Sequence, residues 1–200
     1  MRKMGLTGGI ASGKSTVAGM LRELGFPVLE ADLLSHQLMQ PGQAAHDEIL
    51  REFGTDLEDA RGRIDRAKLA AIVFVDAARL AKLNQILHPR VEEATLRQFL
   101  EWERDGVRDA AFVEAALLVE AGYVKNLDGL VVAFCRPEQQ LERLRARGMS
   151  ETEARQRMAA QMPVEEKLEY ATDRIDCSGT IEETRAQVQA LAERLHSSKS

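Results

Sequence analysis

Residues 8–16 read Gly-Gly-Ile-Ala-Ser-Gly-Lys-Ser-Thr, between two apolar runs. They satisfy the pattern G-x-x-x-x-G-K-[ST] at every fixed position. Each residue type has a chemical reason to be there. Gly8 and Gly13 are expected to take backbone angles that a side chain would forbid. The loop then turns successive N–H groups inward, making an anion nest at a helix N-terminus. In such a nest Lys14 reaches the β- and γ-phosphates of a nucleoside triphosphate. The Ser15 hydroxyl ligates Mg²⁺, and Thr16 donates to the α-phosphate. Gly8, Gly9, Ala11, Ser12, Gly13, Lys14, Ser15 and Thr16 are the candidate contacts. Motors, GTPases and kinases all use such a loop, so it does not choose among them.

Carboxylates and arginines elsewhere narrow the choice. Asp32 closes the run Phe26–Asp32, "FPVLEAD", which reads as a second strand ending in carboxylates. At the carboxyl edge of a parallel sheet it can orient an acceptor hydroxyl and take its proton. An N-cap of the next helix is an equal reading of the same spacing. Glu30 reads as a strand carboxylate facing solvent. Glu114, near the end of another apolar run, suits contacts to Mg²⁺ or the acceptor, or equally a buried structural ion pair. Six arginines crowd residues 136–157, offset by Glu138, Glu142, Glu151 and Glu153. An ion-paired helix surface explains most of them. Arg143 and Arg147 are one turn apart on one face, as a cap over a triphosphate needs.

The elements that must position these groups follow from periodicity. Lys3–Thr7 is strand-like. Val17, Met20, Leu21 and Leu24 then recur at helical spacing until Gly25. Strand, glycine loop, helix, strand is a βαβ unit, which implies a parallel sheet. Leu33 to about Asp105 shows helical patterns only, with a turn at Gln40–Gln43 and N-caps at Asp65 and Asp76. His88-Pro89 is expected to break one helix before the next. "AAFVEA" and "LDGLVVAFC" resume the sheet as runs buried on both faces. An arginine-rich helix follows Pro137, with Gly148–Ser150 as a tip or hinge. Ser150–Glu153 and Thr180–Glu183 have capping-box spacing. A short strand lies near Arg174–Cys177, and the last helix runs to about Leu195, leaving a frayed tail. The expected fold is α/β, a three-layer α/β/α sandwich around a parallel sheet. It divides into a core (about 1–32, 106–136 and 172–200), a helical insertion (33–105) and a helical lid (137–171).

Composition excludes other classes. The chain of 200 residues has a formal net charge of −5, which argues against a nucleic-acid partner. No run suits a signal peptide or membrane span, so a cytoplasmic protein without a membrane partner is expected. Cys135 and Cys177 are far apart in sequence and read as reduced, buried thiols. The histidines lack metal-ligand spacing. No N-K-x-D run occurs, which speaks against a guanine-nucleotide switch.

The layout is that of small-molecule kinases of the nucleoside-monophosphate-kinase type. More specifically, the chain resembles the dephospho-CoA kinase family through nearly its whole length. "GLTGGIASGKSTVA", "EADLLSHQLMQPGQAA", "GRIDRAKLAAIVF", "LNQILHPRV", "EAALLVEAG", "PEQQLERLRARG", "RMAAQM" and Lys167 carry the likeness in order. The resemblance implies phosphorylation by ATP, with Mg²⁺, of the ribose 3′-hydroxyl of dephospho-CoA to give CoA and ADP. It implies Asp32 as base, Ala11–Thr16 as the ATP-phosphate segment, and Arg143, with Gln140 nearby, as the lid arginine. Arg66, His88, Leu117 and Leu118 fall at positions lining the acceptor side. His88 is equally a His-Pro corner. A kinase of another small hydroxyl or nucleotide acceptor is the alternative.

The sequence departs from the family at several positions. Ala11 stands where Gly is frequent, which requires a negative φ there. Glu30 replaces Asp, and Glu114-Ala115-Ala116 replaces Asp-Ile-Pro. Thr172 and Cys177 stand where Asp and Asn are common.

Overall fold

The computed structural model describes residues 1–73 and 75–197. Phe74, the last residue of "GRIDRAKLAAIVF", and the tail beyond Ser197 lie outside the described residues. The chain forms two compact units, residues 1–29 with 99–200, and residues 30–98.

The first unit is built on strands β1 (Arg2–Thr7), β2 (Val28–Glu30), β3 (Ala110–Glu114), β4 (Gly129–Phe134) and β5 (Asp173–Asp176). Their order in the sheet is β2-β3-β1-β4-β5, with β1 parallel to both β3 and β4, and β4 parallel to β5. Side chains of β1 alternate. Met4 and Leu6 join one core with helix α1 (Lys14–Glu23) and the C-terminal helix α9 (Ile181–Ser197). Gly5 faces the other side, closed by Leu118, Leu127 and Leu130. β3 is buried throughout and β4 nearly so, as runs without polar alternation require.

Local signals set several boundaries. Gly25, at φ 87°, ends α1 by a Schellman turn, with Phe26 N–H bonded to the Leu21 carbonyl at 3.0 Å. Thr180 and Glu183 form the full reciprocal capping box at the start of α9 (2.7 and 3.1 Å). Ser150 caps helix α7 (Glu151–Ala159) on one side only, accepting from Glu153 N–H at 3.2 Å, while the Glu153 carboxylate pairs with Arg157. Helix α6 (Pro137–Ala146) is linked to α7 through Gly148–Ser150, and Met149 N–H closes that link on the Leu144 carbonyl at 3.2 Å. Helix α8 (Val164–Glu169) leads into β5.

The second unit contains α2 (Ala31–Leu38), α3 (His46–Phe53) and α4 (Arg66–Val73) around its own apolar core, which includes Ile49, Phe53, Leu57, Leu69 and Ile86. The Gln43 N–H to Gln40 carbonyl bond (3.0 Å) makes the expected turn. Asp65 and Asp76 cap α4 and α5 (Ala77–Arg104), each through Oδ1.

Two expectations fail here. β2 ends at Glu30, so Asp32 does not close the strand. It lies in the first turn of α2 and is not its N-cap, which is Glu30. The Pro27 carbonyl already accepts from Phe112 N–H at 2.8 Å, and the chain turns into α2 at Ala31, so the extended segment is short. The second correction is His88-Pro89. Helix α5 runs unbroken over Ala77–Arg104 with Pro89 inside. A mid-helix proline costs about 3 kcal/mol. Packing of Leu83, Ile86 and Leu87 offsets it. Arg90 adds a bond from Nη1 to the Ile86 carbonyl at 2.6 Å, and its Nη2 pairs with Glu48.

Candidate active site

The glycine loop joins β1 to α1, at the carboxyl edge of the central strand and between the two strands that flank it. Gly13 is the N-cap of α1 at φ 106°, a left-handed angle. The N–H groups of Lys14, Ser15 and Thr16 open that helix, where no intrahelical acceptor exists. A ten-residue helix therefore points its positive end and free donors out of the loop.

The two glycines are needed for different reasons. At Gly13 the angle decides. Gly8 has no positive φ; a Cβ there would collide with the Ala133 carbonyl and lie 2.6 Å from Ser12 Oγ. The expectation of a special angle at Gly8 is thus corrected to one of close backbone approach.

Ala11 corrects a second expectation. Its φ is 57°, the only positive value at a non-glycine position among the described residues. An L-residue there costs roughly 1–2 kcal/mol, so neighbouring bonds must hold it. Arg143 Nη1 donates to the Ala11 carbonyl at 3.1 Å.

Register brings the next group in. β3 pairs with β1 so that Glu114 lies beside Leu6. Its carboxylate, 5% exposed, accepts from Lys14 Nζ at 2.7 Å and from Ser15 Oγ at 3.2 Å through one oxygen. Arg22 Nη2 is 3.9 Å from the other oxygen. Lys14, Ser15 and Glu114 therefore form one cluster of a cation, a hydroxyl and a carboxylate at the mouth of the loop.

Arg143 lies beside the loop. Besides Ala11 it reaches the Cys177 carbonyl at 2.8 Å and the Cys135 sulfur at 3.3 Å. With Arg147, Ala11, Gly13, Thr16 and Cys177 it lines a cavity of about 160 Å³. Cys135 and Cys177 are free and buried. Burial, with Cys135 beside it, pushes the Cys177 thiol up to about 11.

The remaining predicted residues are spread out. Leu117 is exposed, but Leu118 is packed against Gly5 in the sheet. Arg66 is exposed at the start of α4, and His88 stands on α5, where partial desolvation lowers its pKa. Asp32 is exposed, and its charge acts on His36 one turn along α2. Burial and then Arg66 lower the His36 pKa, and Asp32 opposes them. Asp32, His36 and Arg66 thus form one electrostatic group. His36 had not been singled out, although the four-residue spacing to Asp32 signals a shared face.

The family model for dephospho-CoA kinase matches residues 2–183. The chain belongs to the dephospho-CoA kinase family. It is 45% identical to the dephospho-CoA kinase of Aquifex aeolicus over 98% of both chains, and 40% identical to that of Bacillus anthracis over 96% of both. A crystal structure from Thermus thermophilus superimposes with a TM-score of 0.79 at 36% identity, covering 96% of this chain and 97% of the other. The dephospho-CoA kinase of Campylobacter jejuni gives 0.66 at 26% identity, with 97% of each covered. A shikimate kinase from Bacteroides thetaiotaomicron, 14% identical with a TM-score of 0.51 and 98% of each chain covered, shares the three-layer P-loop fold alone. Membership makes the chain one of the P-loop kinases that use a nucleotide.

Proposed function

We propose that the chain transfers the γ-phosphoryl group of ATP to the ribose 3′-hydroxyl of dephospho-CoA, giving coenzyme A and ADP, the last step of coenzyme A synthesis. One observation carries the reading: Lys14 and Ser15 converge on Glu114 at the mouth of the glycine loop, in a chain matched to this family over residues 2–183.

In this reading the loop amides of Ala11–Thr16 hold the phosphates, and Lys14 neutralises charge on the β- and γ-phosphates. The cavity beside Thr16, Arg143 and Arg147 takes the nucleoside end of ATP. Asp32 orients the acceptor hydroxyl and takes its proton. Arg66, His88 and the exposed Leu117 serve the acceptor side. Ser15 and Glu114 offer a hydroxyl and a carboxylate oxygen 3.2 Å apart, a hard-oxygen donor pair that fits Mg²⁺ completed by phosphate and water. When bound, Mg²⁺ offsets negative charge on the phosphate oxygens. A cytoplasmic enzyme needing only its two small substrates fits the net charge of −5. Among the described residues no helix is long and apolar enough to cross a membrane.

The deciding experiment incubates the protein with Mg²⁺, ATP and dephospho-CoA and follows CoA and ADP together. One CoA per ADP is expected. ADP release that does not depend on the acceptor would overturn the proposal.

A further inference from the structure

The backbone of Ile10, inside the phosphate loop, is held on both sides of its Cα by side chains distant in sequence. Ile10 N–H donates to Gln161 Oε1 at 2.7 Å. Gln140 Nε2 donates to the Ile10 carbonyl at 2.8 Å. Gln140 projects from α6, one turn before Arg143, which holds the next carbonyl, that of Ala11. Gly9 permits the approach: a Cβ there would lie 2.6 Å from Gln140 Nε2.

Gln161 is itself anchored. The next residue, Met162, donates its N–H to Glu120 Oε1 at 3.1 Å. The fully buried Lys167 bonds the same Glu120 oxygen at 2.8 Å and the Ala116 carbonyl at 2.6 Å. The segment after α7 is thereby tied to the loop after β3, and the Gln161 amide has a fixed place.

One residue beyond this bracket, Ala11 adopts its left-handed angle. Gln140 fixes the peptide plane from which Ala11 must turn, and Gln161 fixes the plane before it. Released, an alanine relaxes to negative φ, and the amides after it lose their common aim. We propose that Gln140 and Gln161 are positioning residues for phosphoryl transfer: together they hold the two successive peptide planes at Ile10 so that the loop stays shaped for the triphosphate. This rests on the reading that the loop binds ATP.

Gln140→Met and Gln161→Met remove the polar groups and keep the length. Each should raise the KM for ATP about tenfold, the equivalent of one lost hydrogen bond. The KM for dephospho-CoA should hold, and the thermal midpoint should move little. Because both act on the backbone of one residue and through it on Ala11, the double variant should be no worse than the poorer single by more than about twofold. The sharper test is rescue. Glycine takes the left-handed angle without cost, so adding Ala11→Gly to Gln161→Met should bring the KM for ATP back to within about threefold of wild type. If one Met variant does not fold, the other carries the test, again with Ala11→Gly. An unchanged KM for ATP in the folded variants, or no rescue, overturns the proposal. Wild-type protein is assayed alongside. If it makes no CoA, the ATP-kinase reading of the loop fails. If it is active and the variants match it, the bracket alone fails.

Discussion

Lys14 Nζ lies 2.7 Å from Glu114 Oε1, and that oxygen also accepts from Ser15. The loop's lysine and the serine beside it are thus set by a carboxylate from a neighbouring strand, a hundred residues along the chain from Lys14. Glu114→Gln keeps the size and an acceptor but removes the charge. Groups orienting a metal or its ligands typically contribute about 10–100-fold, so the Mg²⁺ needed for half-maximal activity should rise within that range. A Mg²⁺ titration of activity checks this; an unmoved midpoint leaves Glu114 a structural ion pair.

Asp32→Asn should lower turnover by roughly two orders of magnitude or more if Asp32 takes the acceptor's proton. ATP binding, measured by calorimetry, should persist. Near-normal turnover removes Asp32 from that role.

Arg143 spends separate nitrogens on the Ala11 and Cys177 carbonyls. Lysine keeps the charge but not the fork. A hydrogen bond to a charged group contributes about 1.5–3 kcal/mol, so Arg143→Ala and Arg143→Lys should both lower kcat/KM for ATP by about tenfold or more. The loss should exceed any loss of stability in urea. Wild-type rates with lysine would contradict this.

Lys167 is fully buried, with Glu120 and the Ala116 carbonyl as partners. Lys167→Met strands both acceptors. Glu120 keeps 23% exposure and the Met162 N–H, which softens the loss to about 2–3 kcal/mol. Equilibrium urea unfolding measures it, and an unshifted midpoint would count against the pairing.

His46 is buried, with Nδ1 2.9 Å from Asp47 Oδ1 and Nε2 2.9 Å from the Gly62 carbonyl. Both partners accept, so only the imidazolium satisfies both. The Asp47 bond raises the pKa, and burial opposes it. With the folded pKa above the unfolded value, the stabilisation is complete below about pH 6.5 and is lost as pH rises through the folded value. Urea midpoints should therefore fall with rising pH across that range. His46→Gln should flatten the dependence, and an equal slope in the variant would show that His46 is not its source.

Local signals were legible in proportion to how locally they are satisfied. The nest at Gly13 needs only its own loop, and the caps at Asp65, Asp76 and Thr180 reach two or three residues. The sequence pattern does not show where β2 gives way to α2, because the helix begins at Ala31 without a turn residue between, and so Asp32 falls in a helix rather than at a strand end. Pro89 signals a break because propensity knows nothing of the packing around Ile86 and Leu87.

The sequence by itself determined the nucleotide loop, the alternation of strands and helices, and membership of a kinase family. These rest on residue types at short fixed spacing, whose geometry the backbone alone supplies. Tertiary structure decided what the loop is held by: Glu114 on Lys14 and Ser15, Arg143 on Ala11, and Gln140 and Gln161 on Ile10. It also decided the left-handed Ala11, which the sequence had led one to expect at negative φ. Those partners lie 99 to 151 residues apart in the chain, and only the parallel register of β1 with β3 and β4, with the helices docked beside it, brings them within hydrogen-bond reach.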